Sequence, residues 1–359
     1  MSATGTNRNR RPFADESRAG PHGGTRLRDI AQEIGCSVNT VSRALSNKPD
    51  VSPETRARVH EVAARLHYTP NLLARALVSR QTHTLGLVVA DCTNPYYGQM
   101  IRGVEAAATR AGYALLLATS DENPDKERRV LTTLRERRVD GLLIAPIDGK
   151  ADYLAGLASD GPPQIYLSRP PEGFAADFVA NDNRAGATMA VGHLVELGHR
   201  TIVHVAREGA VFSALEREAG YLDALQAAGI EERPRVRVTP DIEGGRQAAR
   251  SLLEGDQLPE AVFAYNDLVA IGLMSELAAA GRRVPQDVSV VGYDDIEPAG
   301  YVQPRLTTIA QGTTEIGRRA AELLVRRIER GPVQSARAIV LPPSLVVRDS
   351  TAAPRRTSH

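Results

Sequence analysis

"DIAQEIGCSVNTVSRALSNKPDVSPETRARVHEVAARLHY" (residues 29–68) holds three helical patterns in close succession, each with its own start and stop. Leu27, Ile30, Ala31 and Ile34 recur at i, i+3, i+4 and i+7, the apolar stripe of an amphipathic helix, and Thr25 stands where a cap belongs. Gly35 ends that helix and Ser37 is a natural cap for the next, over about 38–45. Val38, Val41 and Leu45 form one side of the second helix, while Asn39, Thr40, Ser42 and Arg43 form the other. After "SNKPDV", Ser52 and Pro53 open a third helix with Val59, Val62, Ala63 and Leu66 as its stripe.

Two helices joined by a tight Gly-containing turn and braced by a third make a helix-turn-helix. The second helix of that motif lies in the major groove of DNA, where Asn39 suits adenine, Arg43 suits guanine and Val38 suits a thymine methyl. Arg28, Thr40 and Ser42 suit phosphate contacts, which position the protein without reading sequence. Periodicity alone leaves a plain three-helix bundle with polar outward residues equally open.

The charge distribution points the same way. Residues 1–82 carry 13 Lys and Arg against 7 Asp and Glu, whereas the remainder carries 31 against 36. A basic front on an acidic body fits a polyanionic partner, although such runs are more often solvated faces. Cys36 and Cys92 lack C-x-x-C spacing, so neither a disulfide framework nor a zinc site is expected. The opening "MSATGTNRNRRPFADESRAGPHGG" has no apolar run after its basic residues and reads as a disordered tail, not a signal peptide. No stretch reaches the roughly 18 apolar residues of a membrane span, so a cytoplasmic location is expected.

From Leu85 onward strands alternate with helices. Apolar runs at 85–90, 114–118, 141–145, 164–167, 201–206, 261–265 and 288–293 are separated by helical patterns at about 99–111, 126–137, 184–197, 213–228, 267–280 and 313–330. This is a parallel, doubly wound α/β pattern too long for one sheet. Two facing lobes with a ligand cleft between them follow. No phosphate-binding, dinucleotide-binding, nucleophile-elbow or H-E-x-x-H motif is present, so an enzyme is disfavoured and no cofactor is expected. His193, His199 and His204 are best read as structural.

"VNTVSRAL" (38–45), "VSPETRARV" (51–59) and "YTPNLLARAL" (68–77) closely resemble the headpiece of the LacI/GalR family of bacterial transcription regulators, and the resemblance continues to about residue 348. It implies an all-α helix-turn-helix headpiece plus an α/β, periplasmic-binding-protein-like body of two doubly wound parallel-sheet lobes. The expected organisation is a tail at 1–24, the DNA-binding domain at 25–69, a hinge helix and linker at 70–82, the body at 83–348, and a disordered tail at 349–359. Lobe 1 would take about 83–198 and 312–332, and lobe 2 about 199–311 and 337–348. Crossings are expected near Leu197–Arg200, Ala310–Thr313 and Pro332–Arg337.

The resemblance also implies that paired hinge helices enter the minor groove of operator DNA, with Leu77 as the wedging leucine and Ala74 beside it. In the cleft it implies Tyr96 and Tyr97 from "NPYY", Ser213 and Arg217 from "FSALEREAGY", Asn266 from "AYND" and Asp294 from "VVGYDD" as effector contacts. Such donors and acceptors suit vicinal hydroxyls, and tyrosine faces suit a sugar ring. Ile242 stands near the place where some relatives carry an aromatic, and Ala145 where some carry an asparagine. The partners expected are a pseudo-palindromic operator, a small effector of carbohydrate type and a second copy of the chain. A homodimer is expected because "DSTAAPRRTSH" (349–359) shows no heptad pattern. The competing reading is a soluble sugar-binding protein with no regulatory role.

Overall fold

The computed structural model describes residues 25–68, 81–147, 152–255, 257–331 and 335–355, which fall into two compact units, residues 1–80 and 81–359. The first unit is a three-helix bundle of α1 (Leu27–Ile34), α2 (Val38–Leu45) and α3 (Pro53–Arg65). Two of these helices are shorter than the roughly 12–15 residues that stand alone in water, so tertiary packing must hold them. Ile30, Ala31, Val41, Ala44, Val51, Val59, Val62 and Ala63 supply it as one shared core. Ser37 Oγ accepts the Thr40 N–H at 3.0 Å and Ser52 Oγ that of Thr55 at 3.2 Å, which are the expected caps. The first cap differs: Asp29 accepts the Arg26 N–H at 2.7 Å, while Thr25 donates its hydroxyl to the Leu66 carbonyl at 2.7 Å. Thr25 therefore fastens the start of α1 to the end of α3.

In the second unit, β1 (Thr84–Val89), β2 (Ala114–Thr119), β3 (Gly141–Ile144), β4 (Gln164–Leu167), β5 (Phe178–Asn181) and a late strand form one parallel sheet. The helices α4 (Pro95–Arg110), α5 (Pro124–Glu136) and α6 (Asp152–Asp160) belong to this lobe. The chain then builds α7 (Asn183–Glu196), β6 (Ile202–Arg207), α8 (Phe212–Ala227), β7 (Val236–Val238), α9 (Ile242–Glu254), β8 (Ala261–Ala264), α10 (Asp267–Ala279) and β9 (Ser289–Val291). Its sheet is parallel in the order β7-β6-β8-β9. Next come β10 (Thr308–Ala310), α11 (Thr313–Arg330), β11 (Ala338–Leu341) and β12 (Ser344–Val346). The first sheet reads β11-β5-β4-β3-β1-β2, and β10 pairs antiparallel with β12.

This topology corrects two of the three crossings. After β5 the chain enters lobe 2 at once: Asp182 caps α7, and α7 packs on α8 through Ala187, Ala190, Val191, Leu194 and Tyr221. The first crossing thus lies at Asn181–Asn183 rather than Leu197–Arg200. β11 pairs with β5 in lobe 1, and only β12 belongs with β10, so the third crossing falls at Pro342–Pro343 rather than Pro332–Arg337. After β10, α11 packs against α4 of lobe 1. That last contact is backbone-close: a Cβ on Gly103 would lie 2.0 Å from the Thr314 carbonyl oxygen.

Residues 349–355 are also not a tail. Ser350 is fully buried in lobe 2, donating its hydroxyl to the Val290 carbonyl at 2.6 Å and accepting the Thr307 N–H at 2.8 Å. Asp349 pairs with Arg305, with an Nε–Oδ2 distance of 2.6 Å. The segment is polar in sequence because it bonds to buried polar groups beside β9, the Val290 carbonyl and the Thr307 N–H, rather than to an apolar face. Among the described residues no helix is long and apolar enough to cross a membrane.

Candidate functional site

The headpiece presents the side of α2 that the core does not use. Val41 and Ala44 point inward, while Asn39, Ser42 and Arg43 are exposed and Thr40 is half-buried with its hydroxyl 2.8 Å from Ser37 Oγ. Val38 belongs with the outward set rather than the buried stripe, being 45% exposed at the first position of the helix. Arg28 is exposed on α1. Arg43 Nε holds Asp50 Oδ2 at 2.6 Å, so its guanidinium is pre-oriented by the loop between α2 and α3. That contact raises the Arg43 pKa and lowers that of Asp50, chiefly through the hydrogen bond. The result is a short helix offering apolar, amide, hydroxyl and guanidinium groups in the pattern that reads base edges. Ala74 and Leu77 lie outside the described residues.

The second cluster sits between the lobes, at the C-terminal ends of strands where open α/β sheets place ligands. From lobe 1, Asn94 Oδ1 accepts the Tyr96 N–H at 3.0 Å and starts α4, which buries Tyr96 and Tyr97 edge-on to one another, 5.1 Å between centroids. Tyr96 Oη lies 2.7 Å from Ser168 Oγ. Burial raises both phenol pKa values, that of Tyr97 to about 12, so both rings stay neutral.

From lobe 2, α8 carries Arg217 into the centre, 5% exposed. Its Nε donates to Asn183 Oδ1 at 3.0 Å, one Nη to the Tyr265 carbonyl at 2.6 Å, and the other to Asp294 Oδ1 at 3.3 Å. The guanidinium lies 3.7 Å from the centroid of the Tyr293 ring and 4.7 Å from that of Tyr265. Asp294 also accepts from Gln311 Nε2, and its φ of +116° is a conformation that non-glycine residues rarely adopt. Burial pushes its carboxyl up to about 6, against the opposing pull of Arg217. Ser213 Oγ is 2.9 Å from Tyr265 Oη.

The fold therefore brings Tyr96, Tyr97, Ser213, Arg217 and Asp294 into one buried network. Asn266 is differently employed: its Oδ1 caps α10 at Val269 (2.8 Å) and its Nδ2 donates to the Pro240 carbonyl (3.0 Å). Ile242 is 48% exposed on α9 and Ala145 is buried after β3. The sequence reading missed Asn181, Asn183, Tyr265, Tyr293 and Gln311, although Tyr265 and Tyr293 immediately precede two of the residues it named. Asn181 Oδ1 and Gln311 Oε1 are buried acceptors without a donor among the described residues. Two buried acceptors, a guanidinium and a carboxylate among tyrosine rings suit a polyhydroxylated ligand.

The three histidines are structural. His204 stacks on Phe263 and donates from Nδ1 to its carbonyl (3.0 Å), and burial pushes it down to about 4. His199 and His193 meet Ala352 and Thr351 of the C-terminal segment. No group of His, Cys, Asp and Glu among the described residues has the arrangement of a metal site.

A helix-turn-helix unit followed by a two-lobed, ligand-type body defines a DNA-binding transcriptional regulator rather than an enzyme. Residues 26–71 match the family described as bacterial regulatory proteins, lacI family, and residues 191–351 match the periplasmic binding protein-like domain. The chain is 37% identical to the HTH-type transcriptional regulator GalR of Escherichia coli K12 over 332 residues, 91% of this chain and 96% of that protein. It is 34% identical to the ribose operon repressor of the same strain over 327 residues, 90% and 99% of the two chains. A crystal structure of the lac repressor dimer bound to operator and the anti-inducer ONPF superposes with a TM-score of 0.83 at 28% identity, covering 92% of this chain and 100% of that one. A transcriptional regulator CelR–cellobiose complex gives 0.69 at 33% identity over 91% of this chain and 99% of that one. The chain belongs to the lacI family of bacterial transcription regulators.

Proposed function

We propose that the protein is a homodimeric cytoplasmic repressor that binds a pseudo-palindromic operator through α2 and is controlled by a sugar or sugar derivative held between the lobes. Arg28, Val38, Asn39, Thr40, Ser42 and Arg43 are the operator contacts of the headpiece, and Ala74 and Leu77 those of the hinge. Tyr96, Tyr97, Ser213, Arg217, Asn266 and Asp294 form the effector site. The observation that carries the reading is the Arg217–Asp294 pair, buried at the crossing strands with open acceptors beside it. A ligand bonding to that pair and to Tyr96 of lobe 1 tightens one lobe against the other. The relatives named above add weight, since one is a ribose operon repressor and another is a complex with cellobiose.

Closure by ligand rotates the lobes, separates the paired hinges and lowers operator affinity, and operator binding opposes ligand binding to the same degree. The test is a pull-down of genomic fragments with the purified full chain, sequencing bound DNA with and without a panel of sugars. An enriched palindrome released by one compound is the expected result. A palindrome retained more tightly with a compound reverses the sign to corepression. No enriched sequence at moderate salt refutes the DNA reading and leaves a sugar-binding protein.

A further inference from the structure

The cleft carries more buried positive charge than hydroxyl recognition requires. Arg169 follows β4 on lobe 1, Arg207 ends β6 on lobe 2, and they are 7% and 9% exposed. Arg169 donates from one Nη to the Pro146 and Ile147 carbonyls at 3.0 and 3.1 Å, and Arg207 donates from Nε to the Glu208 carbonyl at 3.0 Å. Among the described residues their remaining charge is shared by a single carboxylate. Glu122 lies 3.5 Å from Arg169 and 3.6 Å from Arg207, longer than the roughly 2.7–2.9 Å of a charge-assisted hydrogen bond. Its side chain is 35% exposed, in a turn where Asp121 and Glu122 both have positive φ. Arg217 already has Asp294. Among the described residues, three buried guanidiniums thus meet two carboxylates, and Arg169 and Arg207 divide the weaker-held one.

The excess charge converges on one ring. Although burial opposes it, Arg217, Arg207 and Arg169 together hold the Tyr265 phenol below its ordinary pKa. Arg207 lies 5.9 Å from that ring's centroid and Arg217 4.7 Å. A buried cation with an incomplete partner is costly, and such an arrangement marks a site that uses the charge.

We propose that the effector is an anionic sugar derivative whose carboxylate or phosphate lies between Arg169 and Arg207, displacing Glu122. The inference rests on the cleft reading of the previous section. Guanidinium forks match the paired oxygens of both groups. Because the two arginines stand on opposite lobes, one oxyanion bonded to both draws the lobes together, so charge recognition and closure are the same event. The hydroxyls of the ligand then face Arg217, Asp294 and the open acceptors of Asn181 and Gln311.

The experiment is titration calorimetry of the full chain with matched sets: glucose, glucose 6-phosphate and gluconate; ribose and ribose 5-phosphate; galactose and galacturonate. At least one anionic member should bind about ten-fold or more tighter than its neutral parent, with affinity falling as salt rises. Phosphates and carboxylates in the panel separate the two sources of charge. In Arg207→Gln the anionic preference should collapse toward one, and Arg207→Lys should restore part of it. Glu122→Gln, at a partly exposed turn, should strengthen anion binding several-fold. A panel in which every neutral sugar matches or exceeds its anionic derivatives overturns the proposal, as does one in which no anionic member binds. If a neutral compound also releases operator DNA, the repressor reading survives that loss, whereas failure to enrich an operator removes the reading itself.

Discussion

Asp294→Asn separates the electrical role of the cleft aspartate from its steric one. Wild-type Asp294 is raised from its ordinary 3.8 to about 6, chiefly by burial. At about 1.36 kcal/mol per unit, the fold carries a cost of roughly 3 kcal/mol to keep this carboxylate ionised at neutral pH. Between pH 3.8 and 6 the folded state binds more protons at this site than the unfolded state. Stability from Asp294 is therefore fully present below about pH 4, falls as pH rises through 6, and is flat above. Asparagine has nearly the same shape and no such cost, and because the raised value already includes the pull of Arg217, the loss of that pairing is not a further cost. Net stability at pH 7 should rise by up to about 3 kcal/mol. Urea denaturation of both proteins from pH 4.5 to 7.5 should give curves that diverge, with the variant gaining on the wild type as pH rises. Effector binding at pH 7 should meanwhile fall by about thirty-fold or more. Parallel stability curves across that range would refute the burial argument, and unchanged effector affinity would refute the role of Asp294 in the site.

Arg43→Ala should weaken operator binding by about ten- to hundred-fold and relax base preference at one position in each half-site, checked by binding to a set of single-position operator variants. Leu77→Ala should cost operator affinity on the order of ten-fold more than affinity for random duplex, and equal losses would remove the wedge role. Deleting residues 349–359 removes the Ser350 bonds to Val290 and Thr307 and should lower lobe 2 stability by at least about 2 kcal/mol, read as an earlier denaturation midpoint; an unchanged midpoint would return the segment to the status of a tail.

The headpiece was almost wholly legible because its information is local. Cap residues, a Gly stop and 3.6-residue stripes lie within each helix, and Ser37, Ser52 and Gly35 act as their types dictate. Thr25 was misread because its hydroxyl finds a partner 41 residues away, at Leu66. The strands at 85–90, 141–145, 201–206 and 261–265 were likewise visible as buried apolar runs, whereas the short β7 and β10 carry too few residues for a pattern.

What sequence by itself determined is the kind of the longer elements and each chemistry-bearing residue's type: the outward set on α2, and the Arg, Asp and Tyr residues of the cleft. Tertiary structure alone decided which sheet each element joins and which of those side chains meet. α7 reads as a helix wherever it packs, and β11 as a strand in either lobe, because an amphipathic pattern states how much surface must be buried but not against what. Arg169, Arg207 and Glu122 follow the same rule. They stand far apart along the chain, and only the meeting of two lobes makes them one electrostatic unit, since Coulomb interactions depend on distance through space and on the water that burial removes.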